Sequence, residues 1–162
     1  MERLRKIKLL ILDVDGVMTD GRIILGDDGS EYRAFNVKDG LGIKLAQEVG
    51  IRVAIITGKE SRIVARRAEQ LGIEDCYCGY PDKFQAYKQI LAKYNIRDKE
   101  IAFVGDDIND LPIMERVGFR AAVGDAHPEV KKVADYVTQA CGGDGAVREV
   151  VDLLLGRRQN EY

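Results

Sequence analysis

The sequence predicts an α/β fold, a single doubly wound, Rossmann-like parallel sheet with helices on both faces. Short, nearly continuous apolar runs alternate along the chain with stretches of helical periodicity. Continuous apolar strands are typical of parallel sheets that are covered on both faces, and their alternation with helices indicates βαβ connections. The chain has 162 residues, which fits one domain with a substantial core. We therefore expect one domain over residues 1–162.

The strands are predicted from apolar runs that end in Gly, Asp or Thr. In chain order they are IKLLILD (7–13), IRVAIIT (51–57), IEDCYCG (73–79), EIAFVGD (100–106) and FRAAVGD (119–125), and ADYV (134–137) predicts a short last strand. Cys76 and Cys78 are expected on one side of the third strand. We interpret them as small apolar thiols, because no second pair completes a tetrahedral metal site.

Helices are predicted between these strands, and most of the helical stretches end at Gly, a common helix stop. They are GLGIKLAQEVG (40–50), SRIVARRAEQLG (61–72), KFQAYKQILAKYN (83–95) and INDLPIMERVG (108–118), followed by a terminal helix at DGAVREVVDLLLG (144–156). His127 precedes Pro128, which can open a helix, so His127 is expected to help a turn or a cap.

The segment 21–37 breaks this alternation. Its sequence, GRIILGDDGSEYRAFNV, has two β-rich runs around the turn-rich GDDGS and predicts a projecting β-hairpin. Ile23, Leu25, Tyr32 and Phe35 give it apolar surface that an isolated hairpin does not bury. The hairpin either folds back on its own domain or forms an association surface.

Charge and hydropathy exclude several classes of partner. The formal net charge is -2, which favours neither nucleic acid nor an anionic membrane. The longest apolar run, Leu9–Leu12, is far too short to span a bilayer, and the basic start of the chain lacks a signal-peptide cleavage site. The three cysteines fit a reducing compartment. We expect a cytoplasmic protein with no nucleic-acid or membrane partner.

The ends of the predicted strands carry the residues best suited to chemistry. They are Asp13 and Asp15, Thr57 and Gly58, Lys83, and the GDDIND segment (105–110) with Asp106, Asp107 and Asp110. Ligands of open α/β sheets bind beyond the carboxyl ends of the strands, so these residues are expected at one rim.

The rim predicts phosphoryl transfer. Clustered carboxylates repel one another unless a cation neutralises them, and oxygen-only ligands favour Mg²⁺. A hydroxyl, a glycine amide and a lysine ammonium are donors suited to phosphate. Such a set suits a mechanism through an aspartyl-phosphate, with one aspartate attacking and Asp15 exchanging protons.

The chain resembles the haloacid dehalogenase (HAD) superfamily. The four motifs of that superfamily are matched in order by DVDGVMTD, ITG, Lys83 in PDK, and GDDIND. The resemblance implies a HAD-type fold and Mg²⁺, with Asp13 as nucleophile and metal ligand. Asp15 would be the acid/base and would also bind the metal through its backbone carbonyl. Thr57, Gly58 and Lys83 would hold the phosphate, Asp106 would be a further metal ligand, and Asp107 and Asp110 would support the metal.

The spacing of these motifs leaves no room for a cap domain. DVDGVMTDG, the hairpin, FNVKDGLGIKLA, ITGKES, GDDINDLPIM and CGGDGAVREV together resemble the capless phosphatases of 3-deoxy-D-manno-octulosonate 8-phosphate (Kdo 8-phosphate), which serve lipopolysaccharide biosynthesis. That resemblance implies a phosphorylated sugar acid as substrate. It also implies a homotetramer joined through the 21–37 hairpin, with active sites at subunit interfaces. Lys59 stands where many members have Arg, a change that loses bidentate geometry.

Two arginines are candidates for the carboxylate of the sugar acid. Arg67 lies on a predicted helix and is a solvated charge by default, or it reaches a neighbouring subunit's site. Arg148 follows the glycine-rich CGGDG, which is either a flexible lead into the last helix or a loop that meets the substrate.

Other functions compete with this interpretation. The same motifs serve phosphatases of nine-carbon sugar acid 9-phosphates, and a capless phosphatase could also act on another substrate, including protein or nucleic acid. A response-regulator receiver domain would carry its phosphoacceptor Asp on the third strand, whereas here the Asp pair follows the first. A non-catalytic oligomerisation module would be expected to lack Asp13 or Asp15, and both are present.

Overall fold

The computed structural model describes residues 2–156, so the domain predicted over 1–162 extends at both ends beyond the described residues. The strands are β1 (Leu9–Leu12), β2 (Ile24–Leu25), β3 (Glu31–Tyr32), β4 (Arg52–Thr57), β5 (Asp75–Cys78), β6 (Ile101–Gly105), β7 (Phe119–Ala122) and β8 (Tyr136–Val137). The helices are α1 (Glu2–Arg5), α2 (Val37–Glu48), α3 (Arg62–Gln70), α4 (Lys83–Tyr94), α5 (Leu111–Met114), α6 (Pro128–Val133) and α7 (Ala146–Leu155). Short 3₁₀ turns lie at Asp98–Glu100 and Ile108–Asp110.

A parallel sheet forms the centre of the described chain. Its six strands have the order β5-β4-β1-β6-β7-β8, and each neighbouring pair is parallel. β1 lies in the middle, with Leu9 in register with Arg52 on one side and Ile101 on the other. The chain thus winds outward from β1 in both directions, which confirms the predicted doubly wound α/β class and places a topological switch point beside β1.

Burial explains why these runs form strands. All four residues of β1 are fully buried, as are most residues of β4 and β6. Side chains of a central parallel strand face covering helices on both sides, so every position is apolar rather than every second one. The predicted strands are confirmed, and the ends of each observed strand coincide with the predicted range or lie up to three residues inside it.

Helix α2 begins one turn earlier than predicted. Asn36 caps it, because its side-chain oxygen accepts hydrogen bonds from the amides of Lys38 (2.8 Å) and Asp39 (3.4 Å). Gly42, inside the helix, allows close packing against α7, and Gly40 allows the side chains of Arg67 and Leu71 to approach. A Cβ on Gly42 would lie 3.2 Å from Cα of Arg148, tighter than most real contacts.

The helix predicted over 108–118 is wrong in length. The segment forms a 3₁₀ turn and then the single-turn helix α5, which ends at Met114. The chain must leave the helix because Gly118 passes directly against the preceding loop. A Cβ on Gly118 would lie 2.3 Å from the carbonyl oxygen of Lys99, and the Gly118 amide donates to the Asp98 carbonyl at 2.8 Å.

Two smaller predictions concern His127 and the paired thiols. His127 is the N-cap of α6, where its Nδ1 accepts from the amide of Glu129 at 3.2 Å, so its predicted capping role is confirmed. Cys76 and Cys78 are half-buried on the edge strand β5, and their Sγ atoms lie 3.3 Å apart, on the same side of the strand.

The hairpin is present but has few paired residues. Ile24 pairs with Tyr32 and Leu25 with Glu31, and a turn closes it through the Gly26 amide, which donates to the Ser30 carbonyl at 2.8 Å. Ile24, Leu25 and Tyr32 are 60%, 73% and 57% exposed. Phe35, by contrast, packs partly buried against the core. The apolar face predicted for the hairpin is therefore divided between the core of its own subunit and an exposed tip.

In the part of the chain that the structure describes, no helix combines the length and the apolar character that crossing a membrane requires.

Candidate active site

A cavity of about 220 Å³ at the carboxyl ends of the central strands collects most of the predicted site residues. It is lined by Asp13, Asp15, Thr57, Gly58, Lys59, Lys83, Asp106, Asp107 and Asn109. This is the rim at which open α/β sheets bind their ligands. A larger cavity of about 830 Å³ lies beside α3 and β5 and contains none of these residues.

Three carboxylates form a tight cluster at this rim. Asp13, Asp106 and Asp110 each offer an oxygen, and the three oxygens lie within 4.8 Å of one another. Burial, with repulsion from Asp110, raises the pKa of Asp13, and burial with the charge of Asp13 raises the pKa of Asp106. The three carboxylates therefore carry excess negative charge, and a cation bound there would be favoured.

Lys83 brings a positive charge of the chain itself into contact with this carboxylate cluster. Its side chain is 3% exposed, and its Nζ lies 2.8 Å from Oδ1 of Asp13 and 2.7 Å from Oδ1 of Asp110. Burial alone would lower the pKa of Lys83, but the charges of the two aspartates raise it. Asp82 fixes the start of α4, and with it Lys83, by accepting from the Phe84 amide at 3.0 Å.

Asp110 braces the loop that carries the other two aspartates. Its Oδ2 accepts from the amides of Asp106 (2.9 Å) and Asp107 (3.4 Å), while its Oδ1 accepts from Lys83. Asp107 lines the cavity, and its Oδ1 accepts from the Ile108 amide at 2.7 Å. Both carboxylate oxygens of Asp110 thus accept hydrogen bonds within the chain, whereas the carboxylate of Asp106 lies beside Asp13.

The turn after β1 brings the backbone close to Asp106. Gly16 has φ +89°, a conformation that favours glycine, and a Cβ there would lie 2.0 Å from Oδ2 of Asp106. Thr19 stabilises the turn, because its Oγ1 accepts from the amides of Gly16 (3.3 Å) and Gly21 (3.1 Å). A Cβ on Gly142 would lie 1.8 Å from the Gly16 carbonyl oxygen. The CGGDG segment is therefore packed against the turn that follows Asp13 and Asp15.

The wall of the cavity opposite the carboxylates is formed by the end of β4. Thr57 is buried, and Gly58 and Lys59 continue along the wall. The Tyr80 amide donates to the Thr57 carbonyl at 3.2 Å, which ties this wall to the loop before Lys83. A hydroxyl, backbone amides and Lys59 thus line the same cavity as the carboxylates, which Lys83 contacts directly, and donors of these types suit a small anion.

Arg33 belongs to the surroundings of the site but was not predicted from the sequence. Its side chain is 1% exposed, and its Nε donates to Oδ1 of Asp15 at 2.7 Å. It also pairs with Glu31 on the same hairpin. A basic residue in a predicted hairpin strand was the available signal, but the sequence does not indicate that this strand folds back toward Asp15.

Arg67 and Arg148 lie outside this cavity. Arg67 donates to the Asn36 carbonyl at 3.5 Å, and its guanidinium lies 5.5 Å from the ring centre of Phe35. Its Nε is buried without a partner in the structure. Arg148 forms an ion pair with Asp152 at 2.8 Å. Within one subunit neither side chain reaches the carboxylate cluster.

Comparisons with known proteins agree with the geometry of the site. A model of the haloacid dehalogenase-like hydrolases matches residues 79–150. The 3-deoxy-D-manno-octulosonate 8-phosphate phosphatase KdsC of Escherichia coli (strain B / BL21-DE3) is 51% identical, over 96% of this chain and 82% of that protein. The chain belongs to the haloacid dehalogenase-like hydrolase family.

Solved structures of this family support the same assignment. The crystal structure of the 3-deoxy-D-manno-octulosonate 8-phosphate phosphatase from Yersinia pestis superposes with a TM-score of 0.96 at 47% identity, covering 98% of this chain and 85% of that one. The enzyme of that name from Moraxella catarrhalis, solved with magnesium ion, phosphate ion and a KDO molecule, has a TM-score of 0.95 at 41% identity, covering 98% and 91%.

The donor set of this family member fits a magnesium ion. The clustered ligands are carboxylate oxygens, which Mg²⁺ prefers. Burial and repulsion from neighbouring carboxylates raise the pKa values of Asp13 and Asp106, and a divalent ion would offset both effects by stabilising the charged forms. Softer metals prefer thiolate or imidazole ligands, and neither type is among the described residues that line the cavity.

Proposed function

We propose that this chain is a Mg²⁺-dependent phosphomonoesterase that converts Kdo 8-phosphate to Kdo and inorganic phosphate, a step of lipopolysaccharide biosynthesis. The observation that carries the proposal is the buried Lys83 held between Asp13 and Asp110 beside Asp106. The choice of substrate is supported by the similarity to phosphatases of that name, one of them solved with KDO.

The proposed mechanism assigns one role to each aspartate of the first motif. A carboxylate oxygen of Asp13 attacks phosphorus, and the bond between phosphorus and the sugar oxygen breaks. Asp15 gives a proton to the departing sugar oxygen, so that a neutral alcohol leaves. Water then attacks the phosphorus of the aspartyl-phosphate, Asp15 accepts its proton, and phosphate is released from a regenerated Asp13.

The chain's own residues prepare the phosphoryl group for this reaction. Thr57, the Gly58 amide and Lys83 would bind its oxygens. Asp13, the Asp15 backbone carbonyl and Asp106 would hold Mg²⁺, with Asp107 and Asp110 supporting them. Bound Mg²⁺ supplies charge neutralisation at the phosphoryl oxygens and offsets the repulsion among the carboxylates.

Assembly would complete the substrate site. We infer a homotetramer joined through the 21–37 hairpin, because Ile24, Leu25 and Tyr32 leave apolar surface exposed at its tip. In such an assembly Arg67 and Arg148 would reach a sugar-acid carboxylate only in a neighbouring subunit's cavity.

We further propose a cytoplasmic enzyme built as one capless domain.

The decisive experiment is a screen of phosphorylated sugars and sugar acids with Mg²⁺, with released phosphate as the readout. Kdo 8-phosphate is expected to have the highest kcat/KM. A nine-carbon sugar acid 9-phosphate that exceeds it tenfold, about 1.4 kcal/mol of transition-state preference, would replace it as the assigned substrate. Absence of turnover with every phosphomonoester would refute the proposed function.

The role of Arg67 can be tested with the same assay. A charge-assisted contact with the substrate carboxylate is worth about 2–5 kcal/mol, so Arg67→Ala should reduce kcat/KM for Kdo 8-phosphate by about 30-fold or more. Use of p-nitrophenyl phosphate, which has no carboxylate, should change little. Arg66→Ala, on the same helix, is the matched control. Equal losses on both substrates would make Arg67 structural.

A further inference from the structure

The most buried arginine contact near the cavity joins the hairpin to the proposed acid/base. Arg33 follows β3, and its side chain is almost completely covered, at 1% exposure. Its Nε lies 2.7 Å from Oδ1 of Asp15, and a second guanidinium nitrogen contacts Glu31. A buried guanidinium requires such partners, and removing both Asp15 and Glu31 would leave its charge uncompensated.

The geometry places Arg33 in contact with Asp15 and outside the lining of the cavity. Asp15 lines the cavity, and Arg33 is not among the nine lining residues of the described chain. The hairpin therefore approaches Asp15 from outside the space that a phosphoryl group would occupy. The contact occupies Oδ1 and leaves Oδ2 of Asp15 to exchange a proton.

We propose that Arg33 is a positioning residue that fixes the orientation of the Asp15 carboxyl group for proton exchange with the leaving sugar oxygen. This inference rests on the proposed function. Oδ1 can accept from Arg33 whether or not Oδ2 carries a proton, so the same contact holds Asp15 in both halves of the reaction. Arginine keeps its own proton, so it directs Asp15 without competing as an acid.

The contact also connects the active site to the hairpin. Arg33 follows directly on Tyr32, whose side chain is among the exposed apolar residues of the hairpin tip. Two paired positions hold the hairpin together, which is little for independent stability. Any surface that orders the hairpin would therefore also order the partner of Asp15.

Leaving groups of different acidity test the proposal. An alkyl phosphate such as Kdo 8-phosphate needs a proton donor for its leaving oxygen, whereas p-nitrophenolate leaves as an anion. General acid catalysis contributes about 10²–10⁴-fold, and misplacement by about 1 Å costs about 10²-fold. Arg33→Ala should therefore lower kcat/KM for Kdo 8-phosphate by about 10²-fold, mainly through kcat, and that for p-nitrophenyl phosphate less than about threefold.

Three further variants complete the design. Arg33→Lys keeps one charged donor and should recover part of the loss. Arg22→Ala, which removes the 84%-exposed arginine of the same hairpin, is the matched control and should leave both substrates unchanged. In an Asp15→Asn background, Arg33→Ala should cause no further loss with Kdo 8-phosphate, because the group it positions is already lost. The ratio of the two kcat/KM values does not depend on the folded fraction, so partial misfolding cannot imitate the effect.

A crystal structure of Arg33→Ala provides a second readout, in which the Asp15 side chain is expected in a different rotamer or in more than one. Equal losses on both substrates, or an unchanged ratio with Asp15 unmoved, would overturn the role of Arg33 while leaving the proposed function intact. If the wild-type protein cleaves neither phosphomonoester, the proposed function fails, and the Arg33 proposal fails with it.

Discussion

At the scale of single residues, the main feature of the site is a group of carboxylates that the fold brings together and that Lys83 only partly neutralises. Lys83 faces Asp13 and Asp110, but Asp106 adds a third carboxylate that Lys83 does not contact within ion-pair distance. Strand ends could be read from the sequence, so the positions of these residues at one rim were predictable. The contact of Arg33 with Asp15 could not be predicted, because it depends on how a hairpin outside the sheet folds back.

The nucleophile can be tested by a substitution that preserves shape. Asp13→Asn should lower kcat by about 10³-fold or more, because an amide cannot form the phosphoryl-enzyme. Far-UV circular dichroism should remain unchanged. Asp20→Asn alters an exposed carboxylate shortly after the same strand and serves as the control. Substantial turnover by Asp13→Asn would remove Asp13 from the mechanism.

The metal can be tested by activity and by stability. A chelator should abolish turnover and Mg²⁺ should restore it, while Asp106→Ala should raise the Mg²⁺ requirement steeply. Mg²⁺ at about 100 times its Kd should stabilise the wild type by about 2.7 kcal/mol, which is a rise in Tm of about 5–10 °C. Asp106→Ala should lose most of that rise, and Glu115→Ala, on the surface, should keep it. Full activity in metal-free buffer would exclude the mechanism.

At the scale of elements, the sequence predicted the sheet better than it predicted the helix ends. The strands were predicted correctly because a continuous apolar run directly indicates a strand that is buried on both faces. The start of α2 was predicted at Gly40, three residues after its observed start at Val37, although Asn36 is a favoured N-cap residue. Gly42 lets α7 pack closely, and Gly40 does the same for Arg67 and Leu71, contacts that periodicity does not indicate. The short α5 follows from the close passage of Gly118 against Lys99, a contact that periodicity does not report.

The packing of the CGGDG segment on the first turn gives a prediction at this scale. Gly142→Ala should destabilise the fold by about 1–3 kcal/mol, because its Cβ would meet the Gly16 carbonyl at 1.8 Å. It should also lower activity by disturbing the turn that follows Asp15. Gly50→Ala is the control for backbone strain alone, since Gly50 has φ +83° with no atom near its Cβ position and should cost about 1 kcal/mol without loss of activity. Urea unfolding and kcat together measure both effects. An unfolding free energy of Gly142→Ala equal to that of the wild type would contradict the contact.

At the scale of the whole molecule, the sheet order and the hairpin have different origins. The switch point beside β1 follows from the order of the strands in the sheet, and that order was not predicted from the sequence. The hairpin was recognised from its turn residues, but the division of its apolar residues between core and surface depends on the fold. Phe35 packs inward and Leu25 stays exposed, although both are simply apolar in the sequence.

The proposed assembly can be tested through the hairpin tip. Light scattering should report a closed oligomer, most simply a tetramer of the 18.1 kDa chain. Leu25→Asp should dissociate it, because a charge would be buried at the interface. Val49→Asp, at an exposed apolar position after α2, should leave the assembly unchanged. A fully active wild-type monomer at micromolar concentration would refute the association.

The central place of β1 has a consequence for the growing polypeptide on the ribosome. Leu9–Leu12 are made before both of the strands that cover their edges, and one of these, β6, is made much later than the other. Until β6 leaves the ribosome, the entirely apolar strand β1 is unpaired along one edge. Unpaired strands of this kind tend to associate with other chains. The turn after β1 completes its packing even later, because the segment that packs on Gly16 follows every strand of the sheet in the chain. The turn that follows Asp13 and Asp15 therefore reaches its final packing only after every strand of the sheet has been made, although its own residues precede five of the six strands in the chain.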